Sequence, residues 1–391
     1  ERERGRGVGV VSGLVSEDSS VVGWRGVVMS VVKKKLSSSS GISCHAWNGA
    51  HNQIALCPGT PEVQVYEVDE QSGEYKLVGS LKEHEQLVSG VDWAPKRDMI
   101  VTCAHDRNAY VWERNNEGKW EPQMSMLAST FNRAALCVQW SPRENKFALG
   151  GGSRSVAVCY YQEENNWWLS KLIRKKHTSS VTCVSWHSNN WLLATGSSDF
   201  KCRLFAANIS SVDADVKRKF GELLMEVDVA KNWVHGVTWS PSCASLAICA
   251  HDSCVHVVDL EGEVPSIDKD PKCYTVKFPQ LPQCAALFLD ENRLVSVGFH
   301  DKPLLFKRES AGTGMWVMEG ELNAKDTQAK KSSSKFAAAS SMFGGSGNSG
   351  NKAKPTYARV KTDIKKMVKD NQVVNKFSVS GMDQNLDTVT L

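Results

Sequence analysis

Three observations predict an all-β fold that uses one four-stranded unit repeatedly. First, an apolar segment ending in an aromatic residue recurs: ISCHAW at Trp47, VSGVDW at Trp93, LCVQW at Trp140, VTCVSW at Trp186, VHGVTW at Trp239 and QCAALF at Phe288. These anchors lie 46, 47, 46, 53 and 49 residues apart. Second, the position 13 residues after each anchor is a turn residue: Thr60, Asp106, Ser153, Asp199, Asp252 and Asp301. Third, the composition holds 13 Trp against 7 Tyr, as expected if one Trp-bearing element is copied along the chain. A period of about 40–50 residues containing four short strands is the pattern of a propeller blade. One such sheet cannot bury both faces, so neighbouring units must cover one another in a closed ring.

Within each unit the alternation of apolar residues around the anchor has period two and reads as a strand. A polar turn follows, with Pro95, Pro142 and Pro241 in three copies. Next comes an apolar run such as MIVTCA, WLLATG or SLAICA, then a tight turn, a third strand and a more variable fourth. Aspartate suits the tight turn because its carboxylate accepts nearby backbone N–H bonds. His84 and His177 each precede a turn aspartate, Asp106 and Asp199, by 22 residues. With Trp112 closing the third strand, the first of these matches the His–Asp–Trp hydrogen-bond set of WD-repeat proteins. A seventh unit is carried by FSVSGMD, ending at Asp383, and NLDTVTL, where the chain stops. The ring closes at seven blades if the segment from Met29 to Leu36 supplies the last strand. The predicted architecture is a seven-bladed WD-repeat β-propeller over 29–391, with a low-complexity insert between blades 6 and 7.

That insert is assigned to 309–356. AKKSSSKFAAASSMFGGSGNSGNKAKP is rich in Ser, Gly and Lys and reads at its end as a flexible linker. Inside it, KFAAASSMF places Phe336 and Phe343 seven residues apart, on one face if residues 335–343 form a helix, with Met342 beside them. Gly344 and Gly345 would end such a helix. Either this stretch is a loop with incidental aromatics, or it orders against a hydrophobic groove in a partner. Residues 1–28 precede the first recognisable segment and are expected to be a disordered or non-native leader without function.

The remaining composition bounds the chemistry. Lys+Arg 47 against Asp+Glu 43 gives a net charge of +4, too balanced for a chain whose main partner is nucleic acid. Twelve cysteines without a single CxxC pair support neither a disulfide scaffold nor a zinc ribbon. No uncharged apolar run approaches the roughly 20 residues of a membrane helix, so membrane insertion is not expected. No Walker A, HExxH or complete GxGxxG occurs, and His251-Asp252-Ser253 are adjacent and cannot adopt triad geometry. Neither a catalytic residue, a metal ligand nor a cofactor is expected. The structural repeat positions are Trp47, Trp93, Trp140, Trp186, Trp239, Phe288, His84, Asp106, Trp112, His177, Asp199, Asp252 and Asp301. Phe336, Met342 and Phe343 are the candidate partner-binding residues.

Longer segments carry more than the repeat. ISCHAWN at 42–48, HDRNAYVWERNNEGKWEP at 105–122 and NRAALCVQWSPRENKFALGGGSRSVAVCYY at 132–161 belong together with ENNWWLSKLIRKK, GSSDFKCRLFAANI, FGELLME and WVHGVTWS. Taken as a set they resemble the WD-repeat subunit of the actin-related protein 2/3 complex, from about residue 42 to 310 and again at FSVSGMD. The resemblance implies a non-enzymatic seven-bladed scaffold in the assembly that nucleates branched actin filaments. It further implies contacts with the other subunits, including the actin-related proteins, with the actin filament and with nucleation-promoting factors, at the cytoplasmic actin cytoskeleton. In that family the insert between the last two blades carries a protruding helix that meets actin or activators. By position, Phe336, Met342 and Phe343 would inherit that contact. The alternative is a generic WD-repeat adaptor for another multi-protein assembly.

Overall fold

The computed structural model describes residues 30–36, 41–69, 71–125, 131–260, 271–309, 314–322, 360–368 and 373–391. Seven four-stranded antiparallel blades follow one another along the chain. Blade 1 runs through Cys44–Trp47, Gln53–Cys57, Val63–Val68 and Tyr75–Leu81, and blade 2 through Val88–Ala94, Met99–Ala104, Ala109–Arg114 and Trp120–Ser125. Blades 3 to 6 begin with Ala135–Trp140, Val181–Trp186, Val234–Trp239 and Gln283–Asp290. The first strands touch in the cyclic order of the blades, including blade 7 against blade 1. Among the described residues a single parallel pair, Trp168 with Ser125, also joins the outermost strands of blades 3 and 2.

Blade 7 consists of Lys361–Lys366, Lys376–Gly381 and Asn385–Thr390, completed by the N-terminal strand Ser30–Lys35. That strand pairs antiparallel with the last one, from Ser30 opposite Thr390 to Lys35 opposite Asn385. The closure expected from Met29–Leu36 is therefore present. Two strands escaped the repeat pattern. Lys361–Lys366 places Lys366 where other blades carry the anchor aromatic, opposite Phe377. Trp316–Glu321 forms the fourth strand of blade 6, which corrects the insert boundary of 309–356. A fourth strand has no tight-turn aspartate or anchor of its own, so the Ser/Gly composition beyond it masked it. The leader 1–28 and the helix expected at 335–343 lie outside the described residues.

The core is a set of seven clusters, each shared by two neighbouring blades. Trp93, Ile100 and Trp112 of blade 2 bury against Cys57, Val63 and Val65 of blade 1; Ile42, Trp47 and Ile54 of blade 1 bury against Leu386 of blade 7. The anchors also stack within their own blade on an aromatic of the fourth strand: Trp93 on Trp120 at 5.6 Å, Trp140 on Trp168 at 5.6 Å and Phe288 on Trp316 at 6.0 Å. Edge-on geometry at these separations adds to the burial.

Two polar belts tie the blades together around the ring. Four positions before the anchor, Ser43, Ser89, Thr182 and Thr362 donate hydroxyl bonds to Val88, Ala135, Val234 and Ile42 carbonyls of the next blade, at 2.5–3.3 Å. At the opposite end, the turn after the first strand receives a cap from the following blade. The Glu144 carboxylate accepts the Lys96 and Arg97 N–H groups, Asn190 accepts that of Arg143, and Glu291 that of Ser242. Glu144 and Asn190 sit at φ of 57° and 72°, which turns their side chains back toward the preceding blade.

Removing residues 30–35 tests the closure. It strips six paired residues from the last strand and leaves blade 7 an open edge. Stability measured by urea unfolding should fall by about 3 kcal/mol, a few hydrogen bonds at about 1 kcal/mol each. An unchanged midpoint would show that three strands suffice.

Candidate interaction face

The turn aspartates gather on one rim of the ring. In blade 2, Asp106 accepts the Glu85 N–H at 3.0 Å and the Asn108 N–H at 2.9 Å, and its Oδ2 lies 2.8 Å from His84 Nδ1. Asp106 is an ionised acceptor, so Nδ1 carries the imidazole proton. Nε2 is then bare and accepts the Thr102 hydroxyl at 2.9 Å, while Thr102 Oγ1 accepts Trp112 Nε1–H, also at 2.9 Å. The expected His84–Asp106–Trp112 set is thus assembled through Thr102, which the spacing did not single out.

Blade 4 uses the same positions differently. Phe205 replaces the tryptophan and packs on His177 at 5.7 Å. Arg203 donates to His177 Nδ1 at 2.8 Å and to Asp199 at 2.8 Å, so here Nε2 holds the proton and donates to Thr195 at 3.0 Å. Burial and the Arg203 charge lower the His177 pKa and keep the ring neutral. Although burial opposes its charge, Asp199 is held well below the carboxylate range by the Thr178 N–H and Arg203. One motif therefore carries opposite imidazole tautomers in two blades.

The other turn positions sort by partner. Asp252 accepts the Lys231 N–H at 2.8 Å and meets His256, inside its own third strand, at 3.3 Å. Asp383 of blade 7 pairs with buried Lys361 at 2.9 Å, and Lys361 also reaches Asp387 at 2.7 Å. Burial works against that ammonium, but Asp387 and Asp383 carry its pKa above the ordinary lysine value. In blade 3, Ser153 accepts the Arg133 N–H at 3.2 Å, a hydroxyl doing the work of the carboxylate. Asp301 stays at the surface, 49% exposed, with His300 3.7 Å away.

This rim carries several of the exposed apolar residues, while others, such as Leu77, Val78, Met124 and Trp167, lie on fourth strands. Backbone bonds from His105 to Leu87, from His251 to Trp233 and from Met382 to Val360 join the tight turns to the connections between blades. Leu87, Phe200, Trp233, Leu281 and Met382 are all exposed there. Over blades 5 and 6 they extend a strip in which Trp233 packs on His251 and His251 on Phe299 at 5.2 Å. Arg107, Arg133, Arg154, Arg174, Lys175 and Lys176 are exposed on the same rim of blades 2 to 4. Leu322 and Val360, which flank the insert, are bonded at this rim too, Leu322 to Pro303 and Val360 to Met382. The candidate contacts Phe336, Met342 and Phe343 lie outside the described residues. Sequence spacing brought together the turn residues; the apolar strip was invisible to it, because Trp233 and Phe299 stand in different blades.

These blades, this closure and the His–Asp turns define a WD-repeat β-propeller. Residues 75–113 and 170–205 match the WD domain, G-beta repeat family. The chain is 41% identical over 367 residues to actin-related protein 2/3 complex subunit 1B of Arabidopsis thaliana, covering 88% of this chain and 93% of the relative. It is 42% identical to subunit 1A-A of Xenopus laevis over 73% of this chain and 77% of the relative. With subunit 1 of Saccharomyces cerevisiae it shares 32% identity over 92% and 91%. The chain belongs to the actin-related protein 2/3 complex subunit 1 family.

Two measurements check the polar groups. Thr102→Val leaves both Trp112 Nε1–H and His84 Nε2 without a partner, and should cost about 1–3 kcal/mol in urea unfolding. Thr195→Val removes the acceptor of His177 Nε2–H and a bond to the Arg203 carbonyl and should fall in the same range; no loss in either variant would show that these hydroxyls do not hold the blades. Buried His45, bonded to Ser378 at 2.6 Å and Ser380 at 3.1 Å, has its pKa lowered to about 4 by burial, against the pull of Asp363. Unfolded, it titrates near 6.5, so the unfolded chain binds the extra proton and stability falls as pH drops through that window. Between pH 7 and 5 the loss from this group should be about 2 kcal/mol. His45→Gln should remove that part of the slope.

Proposed function

We propose that this chain is the propeller subunit of an actin-related protein 2/3 complex, a non-catalytic scaffold in the assembly that nucleates branched actin filaments. The observation that carries this reading is similarity across nearly the whole propeller to relatives that bear that name, 41% identity over 88% of the chain. The geometry supports it: Asp106, Asp199, Asp252 and Asp383 are occupied by bonds within their own blades, and one rim presents an apolar strip beside a basic sector. Such a rim suits protein contacts, with the basic sector facing acidic partner segments. The insert joins the ring at the same rim, between Leu322 and Val360, which supports a contact role for Phe336, Met342 and Phe343 toward actin filaments or nucleation-promoting factors. The working location on this reading is the cytoplasmic actin cytoskeleton, where thiols stay reduced. Among the described residues no helix is long and apolar enough to cross a membrane.

Affinity capture of the full chain from native extract, followed by mass spectrometry, should recover two actin-related proteins. Their absence would leave a WD-repeat adaptor of some other assembly. Phe336→Ala combined with Phe343→Ala should leave assembly intact and lower branching in a pyrene-actin assay by about tenfold, the effect of losing one aromatic anchor. Unchanged branching would remove the insert from the mechanism.

A further inference from the structure

Blade 5 departs from the other blades in what faces its turn aspartate. Blades 2 and 4 hold His84 and His177 nine residues before the anchor; blade 5 has Ala230 at that position. In blades 4 and 7 a buried cation, Arg203 or Lys361, neutralises the carboxylate. Blade 5 has neither. Instead residues 252, 254 and 256 alternate along the turn and third strand, so Asp252, Cys254 and His256 share one side. Their Oδ, Sγ and Nε2 atoms all lie within 4.8 Å of one another. Among the described residues no other group of three such side chains comes this close.

We propose that Asp252, Cys254 and His256 form a zinc site, with a water molecule as fourth ligand. Carboxylate, thiolate and imidazole are the donor set that Zn²⁺ takes. His256 Nε2 and Asp252 Oδ2 are 3.3 Å apart. Ligand bonds of about 2.0–2.1 Å in a tetrahedron give an edge of roughly 3.3 Å. The surroundings orient each donor. His256 Nδ1 bonds Thr275 Oγ1 at 2.9 Å, which aims Nε2 at the carboxylate. Asp252 is held by the N–H groups of Lys231 and Cys254 at 2.8 and 3.1 Å. Outer partners of this kind fix ligand orientation in metal sites. The Cys254 Sγ lies 3.6 Å from the Asp252 carbonyl, at the mouth of the same turn. Binding through sulfur takes the thiolate, so the Cys254 proton leaves to solvent as the metal enters. The His256 side chain is 2% and the Asp252 side chain 10% exposed, so the solvent access of the cluster is on the Asp252 side.

The site can be tested on the full chain with Co²⁺ as the spectroscopic probe and Zn²⁺ as competitor. One equivalent of Co²⁺ should give visible d–d bands and a thiolate-to-cobalt charge-transfer band in the near ultraviolet, and Zn²⁺ should bleach both. Cys254→Ala should abolish the charge-transfer band, while the same change at exposed Cys273 should leave it intact. Thr275→Val should weaken binding by about tenfold through loss of the outer hydrogen bond. Because Cys254→Ala removes a buried side chain, Cys254→Ser serves as a second variant close in volume; it too should lose the band. Bands of equal intensity in wild type and both Cys254 variants would overturn the proposal, as would the absence of bands in the wild type.

Discussion

A four-stranded sheet with apolar side chains on both faces cannot be stable alone, and every level of this molecule answers to that constraint. Each hydrophobic cluster belongs to two blades, so removing one blade exposes the faces of both neighbours. The arrangement is satisfied only when the last blade meets the first. Here the final contact is made by joining the two ends of the described chain, Ser30–Lys35 against Asn385–Thr390. A backbone ladder at that seam fixes register, as apolar packing alone would not. The Thr362 hydroxyl bond to Ile42 then carries the hydroxyl belt across the same seam.

Within that ring, the tight turn after the second strand is a fixed slot served by changing chemistry. A carboxylate there satisfies backbone N–H groups of the incoming connection, and something must then balance the partly buried charge. Blade 2 uses the His84 N–H, blade 4 Arg203, blade 5 His256 and blade 7 Lys361. The partner comes from before the first strand in blade 2, from four residues past the aspartate in blades 4 and 5, and from the first strand in blade 7. That explains why the repeat looks degenerate in one dimension while the geometry is uniform. It also explains how two copies of one motif come to hold opposite imidazole tautomers: a neighbouring guanidinium donates to the nitrogen that elsewhere carries the proton.

The same division separates structural from functional variation. Anchors and inner strands are confined by neighbours on both sides, whereas the rim residues Trp233, Leu281 and Met382 meet solvent and are free to differ between blades. The insert joins the ring at this rim, between Leu322 and Val360, so its addition leaves the inner strands undisturbed. A family that builds a multi-protein assembly on this fold can vary the rim and the insert without touching the ladder that closes the ring.

Local spacing was enough to count six blades and to locate the turn aspartates, because each depends on residue types at fixed separations along one chain; Met29–Leu36 entered only as the condition for closing the ring at seven. The position of Trp93 is aromatic in six copies and that of Asp199 is aspartate in four of them, and repetition makes them legible. Blade 7's first strand was not legible, since Lys366 stands where the anchor aromatic belongs. Thr102 and Thr195 were not, because a threonine inside a strand carries no signal until its hydroxyl is seen between a histidine and its next partner. The apolar strip of Trp233, His251 and Phe299, and the convergence of Cys254 and His256 on Asp252, were decided by the tertiary structure alone. Contacts between blades, and within a turn that folds back on itself, depend on directions in space. Distance along the chain does not encode those directions.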